Sequence, residues 1–394
     1  MAGRRWGSGA VALMLLLAAL MGCGGPSAAD RATADVQRLL DRRAAAVVDR
    51  DERAYQRTGA GTDFGRLRAV PVADWSYRVT ALRRSGDTAT ADAELRYSVA
   101  GYDRAPVTAG RTLRLSRDAD GRWSVVDDRP AKKSAQQLWD QGAVRIVRGT
   151  HSLVLGVGQS DRSLRGFAEL ADRAVPAVSD AWGARWSGRV VVLVPKSLEG
   201  MAGLLGSPAS SYRGIAAVTT GETGAPARAP ADRIIVNPDA FALLGSLGEQ
   251  VVATHETTHV ATRARTTAAT PLWLSEGFAD WVGYRSVGRT PAEAAPELTR
   301  AVDQDRLPPA LPADEDFGFT GDASRLARAY ESGWTACRMI ADRWGEARLR
   351  AFYRAVGEHD ERAGAVEDAM REVLGTTPEA FTEQWRGYLR SQLG

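Results

Sequence analysis

Apolar residues recur every three to four positions in "DVQRLLDRRAAAVVDR", where Val36, Leu39, Leu40 and Val47 share one face. That spacing predicts an amphipathic helix. From Trp75 the period changes to two. "WSYRVTALRRSGDTATADAELRYSVAG" alternates on both sides of "RSGD", a hairpin turn, and "AGRTLRLSRDADGRWSVVDD" alternates again around "DADG". A helix followed by an antiparallel meander predicts a small α+β unit over residues 31–130.

"RPAKKSAQQLWDQG" marks a junction between about Arg129 and Gly142. Beyond it, "VRIVRGTHSLVLGVG" is strand-like, "SLRGFAELADRAVPAVSDAWG" is helical, and "GRVVVLVPKS" reads as a buried strand ended by Pro195. "YRGIAAVTTGE" and "DRIIVNP" are two further strands, separated by the Pro- and Ala-rich "TGAPARAPA". From Pro238 onward the pattern is mostly helical. The expected order is a sheet-bearing lobe and then a helical lobe, within residues 143–394. The C-terminal "GTTPEAFTEQWRGYLR" sets Phe381, Trp385 and Tyr388 at helical spacing, which core packing explains.

The first 22 residues carry Arg4 and Arg5 and then an apolar run from Ala10 to Met21, too short for a stable membrane-spanning helix. "LMGC", Leu20 to Cys23, resembles the lipobox of bacterial lipoproteins. That resemblance implies cleavage before Cys23, lipidation of its sulfur, and a flexible tether over 23–30. The mature chain is then expected outside the cytoplasm, anchored to a membrane rather than spanning it. No later stretch reaches about 18 apolar residues.

Composition adds little to this. The chain of 394 residues suggests two or three domains, and its 44% hydrophobic and 25% charged content is ordinary for globular proteins. The 51 basic and 48 acidic residues nearly balance, and no basic run with interleaved aromatics occurs, which argues against nucleic acid as a partner. Of the two cysteines, Cys23 falls in the lipobox and Cys337 sits in an apolar helix as a small buried hydrophobe.

The chemistry concentrates in "VVATHETTHVATRA". Two of the chain's four histidines, His255 and His259, are four residues apart, with Glu256 beside the first. On a helix both imidazoles lie on one face, about 6 Å apart at the backbone, and can converge on one ion. Glu256, rotated by about 100°, can reach a water at that ion and act as general base. Downstream, "PLWLSEGFADW" places Glu276 among Leu272, Trp273, Phe278 and Trp281. A carboxylate in such company costs several kcal/mol unless paired or coordinated, so Glu276 is the expected third ligand. Two histidines and one glutamate leave a fourth position open on a catalytic zinc ion, Zn2+. His151 and His359 fall in segments that give them no part in this. Ser275 is expected to cap the second helix.

"HETTH" followed by "WLSEGFADW" resembles the gluzincin metallopeptidases, most of all the peptidase MA-like family, over roughly Val144 to Gly394. This implies a thermolysin-like fold with His255, His259 and Glu276 as zinc ligands and Glu256 as base. The 16 residues between His259 and Glu276 imply a tighter loop than in thermolysin relatives. The resemblance further implies that Asp280 bonds a ligating histidine from behind and that Tyr330, in "RLARAYESGW", stabilises the oxyanion. The N-terminal unit resembles the cone-shaped nuclear transport factor 2-like fold, carried by "GRWSVVDD" and its helix-then-meander order, and an accessory role is expected for it. The expected activity is hydrolysis of peptide bonds in a peptide or protein substrate. The strand near Gly214 to Thr219 offers an edge for substrate pairing. The rival readings are a non-catalytic envelope lipoprotein with a structural or empty site, and a ligand-binding protein that works through its N-terminal cone.

Overall fold

The computed structural model describes residues 28–61, 63–221, 229–318 and 322–394. The expected leader, Cys23 and most of the expected tether lie outside these residues. No described helix is long and apolar enough to cross a membrane.

The chain is mixed α+β, with two sheets and many helices. Helix α1 (Ala28–Val48) already takes in the last residues of the segment expected as tether, and the short helices α2 (Glu52–Gln56) and α3 (Phe64–Leu67) follow. Strands β1 (Val72–Ser85), β2 (Thr88–Val99), β3 (Val107–Arg117) and β4 (Trp123–Pro130) form an antiparallel meander in chain order. The β1–β2 turn passes through Gly86 at φ +59°, where a Cβ would be strained. Val36, Leu39, Leu40 and Val47 are buried against the sheet, which answers with Ala91, Leu95 and Leu113. Where β1 slips register between Val79 and Ala81, the Gln37 side chain fills the gap. Its amide donates to the Tyr77 carbonyl (2.7 Å) and its oxygen accepts from the Val79 N–H (2.8 Å).

The junction is packed rather than loose. Arg111, 2% exposed, donates through Nε to Asp128 and through both terminal nitrogens to Asp140, with distances of 2.8 to 2.9 Å. This bidentate pairing joins β3 and β4 to the junction. Trp139 packs tilted against Trp75 and edge-on to Tyr97.

The second sheet has the order β5 (Val144–Arg148), β6 (Ser152–Val157), β7 (Val190–Val194), β9 (Arg233–Val236), β8 (Ala217–Thr219). The segment read as one strand-like stretch is thus a hairpin, β5–β6. Strands β6, β7 and β9 are parallel, while β5 and β8 run antiparallel at the edges. Helix α4 (Asp161–Trp182) covers one face. The other face shares a continuous core with the meander through Leu153, Leu155, Val157 and Val191.

The rest is helical: α5 (Leu198–Leu205), α6 (Pro238–Phe241), α7 (Ser246–Thr262), α8 (Leu272–Tyr284), α9 (Pro291–Ala294), α10 (Pro296–Asp303), α11 (Ala323–Trp344), α12 (Glu346–Gly357), α13 (Ala365–Ala369) and α14 (Pro378–Leu393). Phe381, Trp385 and Tyr388 are core residues, as their spacing predicted, and the Trp385 indole donates to Thr335 Oγ1 at 3.0 Å. Cys337 is fully buried.

Helices α8 and α11 cross backbone to backbone. A Cβ on Gly277 would lie 2.3 Å from the carbonyl carbon and oxygen of Gly333, and one on Gly333 would lie 2.6 Å from the Trp273 carbonyl. Only glycine at both positions permits the approach. Gly333→Ala is therefore expected to lose about 1 to 3 kcal/mol or more in a urea titration, because the helices must part. Wild-type stability in that variant would show the crossing to be looser than described.

Candidate metal centre

Helix α7 carries His255 and His259 one turn apart, and α8 packs beside it. Gly283 lies against the Val251 backbone; a Cβ there would approach the Val251 carbonyl to 3.2 Å. This contact brings Glu276 to the two rings. The His255 Nε2 lies 3.0 Å from His259 Nε2 and 3.1 Å from Glu276 Oε2, and His259 Nε2 lies 3.3 Å from the same oxygen. Among the described residues these three side chains make up the group able to hold a metal ion.

The donor set fits zinc. Ligands about 2.0 to 2.1 Å from a tetrahedral centre stand about 3.3 Å from one another, close to the edges of this triangle. Asp280 Oδ1 lies 2.8 Å from His255 Nδ1, and a carboxylate can only accept, so Nδ1 carries a proton and Nε2 is the ring nitrogen turned to the other two donors. The electrostatics agree. Burial disfavours the charged His255 ring, yet Asp280 and Glu276 outweigh it and raise its pKa well above the ordinary value. Burial likewise pushes Glu276 up, but the two imidazoles hold its carboxyl well below the usual carboxylate range. The cluster attracts positive charge.

Glu256, beside His255 on the same helix, is buried, 6% exposed. Its Oε2 accepts a hydrogen bond from Thr219 Oγ1 at 2.6 Å. Tyr330, on α11, sets its ring 6.3 Å from that of His255. Burial, and then the charges of Glu276, Asp280 and Glu256, raise the phenol pKa well above its usual value, so it remains a neutral donor. A cavity of about 730 Å³ opens beside Tyr330 and Asp280, walled by Ile215, Tyr284, Leu326 and Trp334.

Ser275 does not cap α8. The helix begins at Leu272 after Pro271, and Ser275 lies within it, its hydroxyl donating to the Leu272 carbonyl at 3.3 Å. Pro271 occupies the cap position, and the first helical N–H, that of Leu272, is given to Asp314 Oδ1 at 2.9 Å, so the carboxylate of a distant segment does the capping. His151 and His359 stay apart: the first gives its backbone N–H to Asp172, the second its carbonyl to Thr267.

Sequence reasoning missed Thr219 and Glu331. The Glu331 carboxylate, 9% exposed, accepts the Glu297 and Leu298 N–H groups at 3.1 and 2.7 Å and so caps α10 from the neighbouring helix. Both partners are more than 30 residues away in the chain, where no local pattern reaches. The only available signals were the isolated glycines at 277 and 333, since a glycine inside a helix often marks close packing.

No protein-family model matches the chain, and no curated protein sequence matches it. Among solved structures, yeast LTA4 hydrolase is similar at a TM-score of 0.37 and 13% identity, covering 70% of this chain and 43% of its own. The chain thus spans less than half of the yeast protein's length. A mutant two-domain M1 zinc metallopeptidase bound to L-arginine is similar at a TM-score of 0.37 and 12% identity, covering 83% of this chain and 94% of its own.

Burial raises the Glu331 carboxyl to about 7, against the pull of its two backbone donors. Below about pH 4.5 the group is protonated whether the chain is folded or not. As pH rises towards 7 the unfolded chain gives up this proton and the folded chain keeps it, so the contribution to stability is lost across that window. Glu331→Gln removes the titration. Between about pH 5 and pH 8 the wild type should lose roughly 1 kcal/mol more than the variant, with allowance for partial solvent screening. Equal losses in denaturant midpoints would show that the carboxyl titrates normally.

Proposed function

We propose that this protein is a zinc-dependent metallopeptidase of the gluzincin kind, similar to the peptidase MA-like family, which hydrolyses peptide bonds in a peptide or protein substrate. The observation that carries the reading is the convergence of His255 Nε2, His259 Nε2 and Glu276 Oε2 within 3.0 to 3.3 Å, with Glu256 next to the first ligand on the same helix. On this reading residues 143–394 form the catalytic domain. Residues 31–130 form an accessory domain of the nuclear transport factor 2-like kind, and nucleic acid plays no part. The chain is a bacterial lipoprotein, anchored outside the cytoplasm by lipid on Cys23.

His255, His259 and Glu276 would hold the ion, and Asp280 would keep the His255 ring oriented. Zinc bound there would acidify a water and polarise the scissile carbonyl. Glu256 takes the proton from the attacking water on a carboxylate oxygen and delivers it to the departing amine nitrogen. Tyr330 donates its phenol proton in a hydrogen bond to the developing oxyanion. The edge of β8 offers backbone groups along which an extended substrate can lie.

Purified mature protein should contain about one zinc per chain and cleave members of a peptide library, and a chelator should end the cleavage. Glu256→Gln should lower turnover by at least about 100-fold with zinc retained. A variant that still cleaves would remove Glu256 as base, and a metal-free wild type would remove the reading. Separately, Cys23→Ser should shift the protein from the membrane fraction to the soluble fraction when cells are fractionated. Persistence in the membrane fraction would rule out the lipid anchor.

A further inference from the structure

We infer that Thr219 is a positioning residue for Glu256, holding one oxygen of the general base so that the other is presented to the reacting water. The inference rests on the peptidase reading and adds to it a residue from outside both motif helices.

Thr219 closes β8, the three-residue strand at the edge of the second sheet. Its hydroxyl lies 2.6 Å from Glu256 Oε2 and 3.1 Å from the Glu256 backbone carbonyl. A hydroxyl has one proton, and the shorter, charge-assisted contact is the stronger claimant. Oε2 is thereby occupied, while Oε1 has no hydrogen-bond partner among the described residues. A carboxylate with one oxygen held and one free is restricted to a narrow range of torsions, as proton transfer demands of a base.

The strand that delivers the hydroxyl is itself fixed to the metal helix. Arg263, immediately after α7, donates to Asp232 Oδ2 at 2.9 Å and to the Thr220 carbonyl at 3.3 Å. The Thr220 hydroxyl accepts from the Arg233 N–H at 2.9 Å, securing the end of β8 on β9. Gly221 makes room for this crossing: a Cβ there would lie 2.1 Å from Asp232 Oδ1 and 2.7 Å from Arg263 Nε. Thr219 therefore sits at a defined height above α7.

The test compares wild type, Thr219→Val and Thr219→Ser. Valine keeps the β-branched shape and removes the hydroxyl, whereas serine keeps the hydroxyl. Thr219→Val should lower kcat by about 10- to 100-fold, with KM within about threefold, zinc content unchanged and the melting temperature preserved. Thr219→Ser should recover kcat to within about threefold of wild type. Crystal structures of wild type and Thr219→Val supply a readout independent of turnover: the Glu256 carboxylate should leave its place in the variant. Full kcat in Thr219→Val, equal losses in both variants, a change confined to KM, or an unmoved carboxylate would each overturn the inference. An inactive wild type would instead overturn the peptidase reading. The crystal comparison would then decide the positioning contact on its own, a displaced carboxylate supporting it and an unmoved one refuting it.

Discussion

Two imidazole nitrogens and a carboxylate oxygen meet within 3.3 Å of one another, on helices whose other faces are packed in the apolar core. Three lone-pair donors that close, with little water to screen them, require a positive charge among them. The opposed shifts of His255 and Glu276 express that requirement in protons: the ring holds its proton more tightly and the carboxyl gives its own up more readily. A divalent cation would satisfy the same requirement with one ion and compete with the protons for the same lone pairs. The packing of α7, α8 and α11 has to withstand this concentration of charge.

It does so by close backbone contact. The Gly277–Gly333 crossing brings the α8 and α11 axes together directly behind Glu276, and Gly283 lets α8 approach α7 at Val251. With the backbones in contact, the side chains at 255, 259 and 276 have little freedom to separate. Tyr330 is brought over the site by the same crossing, one turn before Gly333 on α11. Glu331 ties that helix to the start of α10, which flanks the neighbouring cavity. The apolar face of each helix thus sets the polar geometry on the other.

Much of this could be read from the sequence because it is local. His255 and His259 need only helical periodicity to share a face, and Glu276 stands out as a carboxylate set among Trp273, Leu274, Phe278 and Trp281. The α1 face and the meander turns followed from periodicity and from "RSGD" and "DADG". What could not be read depends on how distant segments meet. Ser275 has the right residue type for a cap, but Pro271 starts the helix a turn earlier. Thr219 looks like any strand threonine until the fold sets it over Glu256, 37 residues away. The β5–β6 hairpin was hidden because two short apolar strands around "RGTH" give the same pattern as one.

The N-terminal sheet bears on the site through a traceable set of contacts. Asp103, in the loop after β2, has a fully buried side chain that accepts from the Ala231 N–H at 2.9 Å and from Arg233 at 2.8 Å. Ala231 leads into β9 and Arg233 begins it, and β8 is paired on that strand. Removing Asp103 would leave Arg233, 11% exposed, as a buried cation short of its counter-charge, at a cost far above that of a surface ion pair. The strand most easily disturbed by that loss is β9, and with it β8, which carries Thr219. The meander also shares its core with β6 and β7, so it cannot shift as a separate body without opening apolar surface. On the proposed reading, a sheet built in this way would act on the chemistry by holding an edge strand at a fixed height above α7, with no catalytic residue of its own.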